Sequence, residues 1–284
     1  MATYRYVIAD VFTDRPLAGN QLAVFTDARA IPEELLQRLA KEMNYSETVF
    51  VYTPEADGHA RIRIFTPTSE LPFAGHPVLG TAYVLAAPLQ LPEIRLETGQ
   101  GVVPIALERD QSGRIVFGRM LQPIPRWEPF DREAELLAAL GVERSELPVE
   151  LYDLGIRHVY VALPSEEAVA ALEPDYGALV RLTGIVGVNC FAGSGLRWKT
   201  RMFAPGDGVP EDPATGSAAG PLGVHLARHG RIPFGEQIEI SQGAEIGRPS
   251  TLYVTVDGSA EQIERVECGG SAVVVARGEF SLVG

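Results

Sequence analysis

The chain has 284 residues, 46% of them hydrophobic, which is enough for a sizeable core and leaves room for more than one domain. With 24 Lys+Arg against 37 Asp+Glu the net charge is -13, and no Lys/Arg-rich run offsets it, so nucleic acid and anionic membrane surfaces are poor partners. The two cysteines, Cys190 and Cys268, make neither a disulfide framework nor a zinc spacing; with no membrane-length apolar run and no leader pattern near Met1, the expectation is a soluble, cytoplasmic protein.

Tyr4–Phe12 is rich in β-branched and aromatic residues and predicts a strand, and Leu22–Phe25 is a second apolar run. Pro32 opens a helix over Glu33–Met43, because Leu35, Leu36, Leu39, Ala40 and Met43 share one helical face. Glu47–Tyr52 and Ala60–Phe65 predict strands, and the small, apolar Pro77–Ala87 predicts a helix with Pro77 in its first turn. From Leu121 to Pro148 the chain carries Pro123, Pro125, Pro129 and Pro148 around a short helix, Arg132–Leu140, and reads as a connection between two halves. Then come a strand at His158–Ala162, a capped helix at Ser165–Leu172, strands at Ile185–Phe191 and Trp198–Phe203, and a helix at Ala218–Arg228. From Gln237 onward the pattern alternates as strands. The expected class is α/β (α+β) in two domains, 1–125 and 126–284, with the residues from about 265 packing back on the first.

Two stretches repeat. Arg63-Ile-Phe-Thr-Pro67 matches Arg201-Met-Phe-Ala-Pro205. Pro72-Phe-Ala-Gly75-His76 matches Pro213-Ala-Thr-Gly216-Ser217 once an insertion around Glu211 and Asp212 is allowed. Each copy follows a strand and precedes a small-residue helix. A duplicated α/β unit predicts two similar domains with a cleft between them. Each would turn one helix N-terminus, with its free N–H groups and positive dipole end, toward a single bound anion. A carboxylate-bearing substrate fits such a site. Gly193-Ser-Gly195 lacks the third glycine of a dinucleotide fingerprint, no Gly-Lys-Ser/Thr loop occurs, and Gly216-Ser-Ala-Ala-Gly220 is not a hydrolase elbow.

Three ionisable residues stand beside these stretches. Glu47 lies where a polar turn enters the apolar Thr48-Val-Phe-Val51. Desolvation there would make it a useful general base; the alternative is a solvent-facing acid at a strand start. His76 holds an N-cap-like position before Pro77, either near the anion or as a structural cap. Asp212 precedes the second helix, where it either assists the chemistry or complements the dipole, and Ser217 is placed to cap that helix and donate to a substrate oxygen. His225 and His229 have i,i+4 spacing without the glutamate of a zincin or an evident third ligand, so His229 reads as a helix C-terminal residue and no metal is expected.

Asp10-Val-Phe-Thr13, Pro16-Leu-Ala-Gly-Asn20, Met43-Asn-Tyr-Ser-Glu47, Arg63–Pro67, Leu71-Pro-Phe-Ala-Gly-His76 and Glu211-Asp-Pro-Ala-Thr-Gly-Ser217 resemble the PhzF family along nearly the whole chain. The resemblance implies a diaminopimelate-epimerase-like fold: two pseudo-symmetric domains, each a sheet wrapped around a central helix, with the active site in the cleft. Gln122–Trp127, Asn189–Trp198, His225–Gly230 and Gly243–Pro249 are similar to the members that act in phenazine biosynthesis. That implies a small carboxylate substrate, trans-2,3-dihydro-3-hydroxyanthranilate, isomerised to an unstable aminoketone by a homodimer with no cofactor. By the same resemblance Glu47 is the acid/base that moves a proton from C3 to C1, and His76 and Asp212 assist. Gly75, Gly216, Ser217 and Asn20 bind substrate. Tyr45 stands where the family pattern has Leu, next to the base. The competing readings are a two-thiol racemase of the same fold, which needs facing cysteines; a family isomerase acting on another small carboxylic acid; and a binding protein that keeps the cleft without chemistry.

Overall fold

A computed structural model describes residues 2–182 and 184–282. The chain forms two compact units, Met1–Leu121 with Gly269–Gly284, and Gln122–Cys268.

In the first unit the elements run β1 (Ala2–Val11), β2 (Asn20–Phe25), α1 (Glu33–Met43), β3 (Glu47–Tyr52), β4 (Ala60–Phe65), β5 (Glu70–Leu71), α2 (Gly75–Ala86), β6 (Glu93–Thr98), β7 (Gly101–Arg109) and β8 (Ile115–Gln122). β1 pairs antiparallel with β2 and with the C-terminal strand Ala272–Leu282. The sheet continues parallel from β2 to β3, antiparallel to β4, parallel to β6, then antiparallel through β7 and β8. It wraps around α2, which touches β1, β2, β3, β6, β7 and the C-terminal strand. A helix surrounded in this way must be apolar on every side, and Val78, Leu79, Ala82, Tyr83 and Ala86 are all buried. Gly80 allows the closest approach: a Cβ there would lie 2.6 Å from the side chains of Leu22 and Val11. The amphipathic α1 covers another face, where Leu36, Leu39 and Ala40 join Phe25, Phe50 and Phe65 in a core cluster.

The second unit runs β9 (Arg126–Pro129), α3 (Glu133–Leu140), β10 (Glu150–Asp153), β11 (Arg157–Ala162), α4 (Glu166–Ala170), α5 (Tyr176–Val180), β12 (Gly187–Ser194), β13 (Arg197–Ala204), β14 (Val209–Asp212), α6 (Gly216–Arg228), β15 (Ile238–Gln242), β16 (Ser250–Gly258) and β17 (Ile263–Gly270). Its sheet is ordered β9-β10-β11-β12-β13-β15-β16. Strand alternation divides the burial. On β11, Val159 and Val161 enter a cluster with Leu136, Leu140, Val169 and Leu179 from the three short helices. His158 and Tyr160 point the other way, to α6, whose residues Gly216 to Ala227 are all buried.

The sequence repeat is a structural one. In each unit a long strand is followed by a short antiparallel return strand, a turn and the buried helix: β4, β5 and α2 in one, β13, β14 and α6 in the other. Arg63 on β4 binds Glu70 of β5, and Arg201 on β13 binds Glu211 of β14. Each guanidinium lies over the phenylalanine next along its strand face, 5.2 Å from Phe65 and 5.0 Å from Phe203.

Several expectations need correction. The proline-rich stretch from Leu121 to Pro148 is no bare connection, because β9 pairs with β10 and α3 supplies core leucines. The central helices begin at Gly75 and Gly216, ahead of Pro77 and Ala218. Helix α4 is short, though Ser165 caps it by accepting from Ala168 N–H as the sequence suggests. Among the described residues no helix is long and apolar enough to cross a membrane.

Candidate active site

Glu47 is aimed by a helix stop. α1 ends at Asn44, whose left-handed backbone (φ 53°) returns its N–H to Ala40 O; asparagine adopts this conformation more readily than most residues. Tyr45 and Ser46 make the turn, and Glu47 becomes the first residue of β3, opposite Leu22. Its side chain is 15% exposed. It is therefore no open surface acid.

His76 is the second residue of α2, so it does not cap the helix as expected. Ala74 is the N-cap and supplies no side-chain bond. The ring is instead held laterally. Ser46 Oγ donates to Asn20 Oδ1 at 3.2 Å, which turns the Asn20 amide N–H toward His76 Nδ1 at 3.1 Å. Burial pushes the imidazole pKa down to about 3, opposed by the Gln21 carbonyl, and the ring is neutral. Nε2 is the ring nitrogen with no hydrogen-bond partner among the described residues. That atom faces Glu47 Oε2 at 3.4 Å. The contact is long and poorly aligned for a hydrogen bond. Asn20, Ser46, Glu47, Gly75 and His76 are thus gathered in the first unit.

In the second unit Asp212 ends β14 and is buried. Gln242 Nε2 donates to Asp212 O at 2.8 Å and to Thr215 Oγ1 at 3.0 Å, while Gln242 Oε1 accepts from Thr215 N at 3.1 Å. The Thr215 hydroxyl in turn donates to Asp212 Oδ2 at 2.5 Å. Thr215 is the N-cap of α6, yet its side chain is committed to Asp212 and does not cap the helix. Ser217 is the second helical residue, not the cap anticipated for it, and its hydroxyl meets His158 Nε2 at 3.2 Å. Pro221 lacks the amide hydrogen that would close on the Ser217 carbonyl. Both helix starts are free of side-chain caps. Their first-turn N–H groups are suited to an anion.

His225 and His229 do find a third neighbour, one that no local pattern signals. Glu150 Oε2 on β10 lies 3.1 Å from His225 Nδ1 and 3.1 Å from His229 Nε2. Arg228 Nη1 donates to the same oxygen at 2.8 Å, and so does the Tyr152 hydroxyl at 2.9 Å. A guanidinium already neutralises this carboxylate, so the cluster is an ion-pair network rather than a seat for a cation. Ser46, Thr215, Gln242, His158 and Glu150 were all missed as neighbours of functional residues. Ser46 and Thr215 sat inside recognisable motifs; the other three reach the site only through strand pairing.

Residues 9–278 match the phenazine biosynthesis-like protein family (PhzC-PhzF). The chain belongs to this family. This PhzF-family chain is 54% identical over 279 residues to the trans-2,3-dihydro-3-hydroxyanthranilate isomerase of Pseudomonas aeruginosa, covering 98% of this chain and 100% of that one. A Bacillus anthracis phenazine biosynthesis protein of the PhzF family superposes with a TM-score of 0.84 at 27% identity, over 99% of this chain and 100% of the other. A hydroxyproline epimerase from Agrobacterium vitis, 12% identical, shares the fold alone, with a TM-score of 0.70 over 99% of this chain and 93% of that one. The PhzF-family fold here is therefore mixed α/β of the diaminopimelate-epimerase type.

Proposed function

We propose that this PhzF-family isomerase converts trans-2,3-dihydro-3-hydroxyanthranilate to 6-amino-5-oxocyclohex-2-ene-1-carboxylic acid, with Glu47 as the acid/base. The observation that carries the proposal is the half-buried Glu47 carboxylate facing the buried ring of His76, 3.4 Å from its Nε2. Full-length similarity to the Pseudomonas aeruginosa isomerase supports the substrate.

Removing the C3 proton makes C3 an enol carbon and sends the electron pair through the diene to the carboxyl-bearing C1, so the ring double bonds at C4–C5 and C6–C1 become C3–C4 and C5–C6. Glu47 keeps that proton and returns it to C1, and the C3–C4 enol becomes the ketone by losing its O–H proton to water and taking one from water at C4. Atoms and electrons balance without an external oxidant or acid. A positioned base of this kind contributes roughly a hundred- to ten-thousandfold in rate. In this reading His76 and Asp212 assist by hydrogen bonding and proton placement, and Gly75, Gly216, Ser217 and Asn20 bind substrate, the helix-start N–H groups taking its carboxylate. The homodimer, the cytoplasmic location and the freedom from cofactor implied by the family resemblance belong to the same reading.

A two-thiol racemase is disfavoured. Both cysteines are free and buried, and burial pushes the Cys268 thiol up to about 12 and Cys190 higher still, so neither supplies a thiolate near neutral pH.

The test is turnover of trans-2,3-dihydro-3-hydroxyanthranilate in heavy water, followed by product absorbance and by the isotope found at C1. The reading expects product and a slower rate for substrate deuterated at C3. No turnover of this compound alongside turnover of another small carboxylic acid would move the assignment elsewhere in the family.

A further inference from the structure

His158 lies on β11 with its ring turned to the start of α6, and it is almost fully buried. Its Nε2 is 3.2 Å from Ser217 Oγ. Its Nδ1 is buried and has no hydrogen-bond partner among the described residues. The backbone opposite is Gly187, where a Cβ would come within 3.3 Å of Nδ1 and 2.7 Å of Met202 Sδ. Glycine therefore leaves room for the ring but offers Nδ1 nothing to bind.

A neutral imidazole has one N–H to place. On Nδ1 it would be a buried donor without an acceptor, and Nε2 would consume the Ser217 hydroxyl proton. On Nε2 it donates to Ser217 Oγ and leaves only a bare lone pair at Nδ1. Orphaned buried donors are rarer than under-used acceptors, so the second arrangement prevails. Burial also lowers the ring's pKa to about 4, which keeps it neutral at the pH where the enzyme would work.

We propose that His158 is a positioning residue that makes Ser217 a hydrogen-bond donor: its Nε2–H fills an Oγ lone pair and leaves the Ser217 O–H to point at the substrate carboxylate. An acceptor lone pair in that place would instead repel the anion. This inference rests on the reading that Ser217 binds the carboxylate. Tyr160, two residues along β11, fixes the same helix turn by donating to Ala218 O at 2.8 Å, so the strand sets both the height and the rotation of the Ser217 side chain.

Two measurements test it. Nitrogen NMR of the intact protein labelled at histidine should show His158 protonated at Nε2 and bare at Nδ1; the opposite tautomer overturns the proposal whatever the kinetics say. In steady-state kinetics His158→Leu should raise KM about tenfold with kcat nearly unchanged, and His158→Gln, whose amide N–H can replace Nε2–H, should recover most of it. Ser217→Ala should raise KM similarly, and adding His158→Leu to it should cost little more, because the two changes remove one interaction. If Ser217→Ala leaves KM unchanged, the carboxylate-binding reading of Ser217 fails and takes the inference with it. If Ser217→Ala raises KM but His158→Leu does not, or the two effects simply multiply, only the role of His158 is overturned.

Discussion

Asn20 Nδ2 lies 3.1 Å from His76 Nδ1, and this contact helps hold the ring whose Nε2 faces Glu47 Oε2 at 3.4 Å. Asn20→Ala removes the guide and should lower kcat about tenfold, the worth of one buried hydrogen bond. Asn20→Asp should cost more, because a carboxylate draws the proton to Nδ1 and leaves a lone pair facing Glu47. Steady-state kinetics on folded variants checks the order; Asn20→Asp with wild-type kcat would contradict it.

Three buried histidines predict acid sensitivity. Burial lowers His76 to about 3, His158 to about 4, and His225 below its ordinary value. An unfolded histidine titrates near 6.5, so below that pH the unfolded chain binds protons that the folded chain refuses. Stability is thus complete above about pH 6.5 and falls as pH drops toward 4, by about 1.4 kcal/mol per pH unit for each such histidine. Urea midpoints measured across this window should show the decline, and His158→Gln should reduce its slope by one proton.

The Thr215 hydroxyl donates to Asp212, and Gln242 in turn orients Thr215. Thr215→Val keeps the shape and loses the donor. It should lower kcat about tenfold with little change in KM if Asp212 assists the proton transfer. Gln242→Leu strands Thr215 N–H and Asp212 O as well, and should also lower the melting temperature. An unchanged kcat in Thr215→Val would show that this hydrogen bond does not serve the chemistry.

Glu150 organises a buried cluster rather than a metal. Burial alone would raise its carboxyl pKa, but donors from His225, His229, Arg228 and Tyr152 outweigh it and hold the group well below the ordinary carboxylate range. Its contribution to stability is full above about pH 4.3 and is lost as acid titrates the folded group. Glu150→Leu removes the carboxylate that Arg228 and two histidines share and leaves the Arg228 charge only the Tyr152 hydroxyl, and it should cost about 3–5 kcal/mol in chemical denaturation. A neutral substitution would contradict this account of the cluster.

Much of this was legible in the sequence because local chemistry agreed with the fold. The apolar stripe of α1 and the buried character of α2 follow from residue pattern, and the strand–turn–helix repeat is visible in Arg63–Pro67 and Arg201–Pro205. Helix starts were misplaced because Gly75 and Gly216 are weak helix formers, and tertiary burial of α2 and α6 overrides that preference. The partners of the functional side chains were hidden for a different reason. His158 meets Ser217 only because β11 alternates its faces, and Glu150 meets His225 across 75 positions of sequence, a relation no local pattern encodes. Asn20 was legible as a motif residue, but its contact with the His76 ring was not.

The most direct test is the rate at which Glu47→Gln forms product from trans-2,3-dihydro-3-hydroxyanthranilate. Glutamine keeps the size and much of the polarity of the side chain but cannot take a proton. The account predicts a kcat at least about a hundredfold below wild type, with substrate still bound. A variant that turns over at near the wild-type rate would show that the proton is moved by another group.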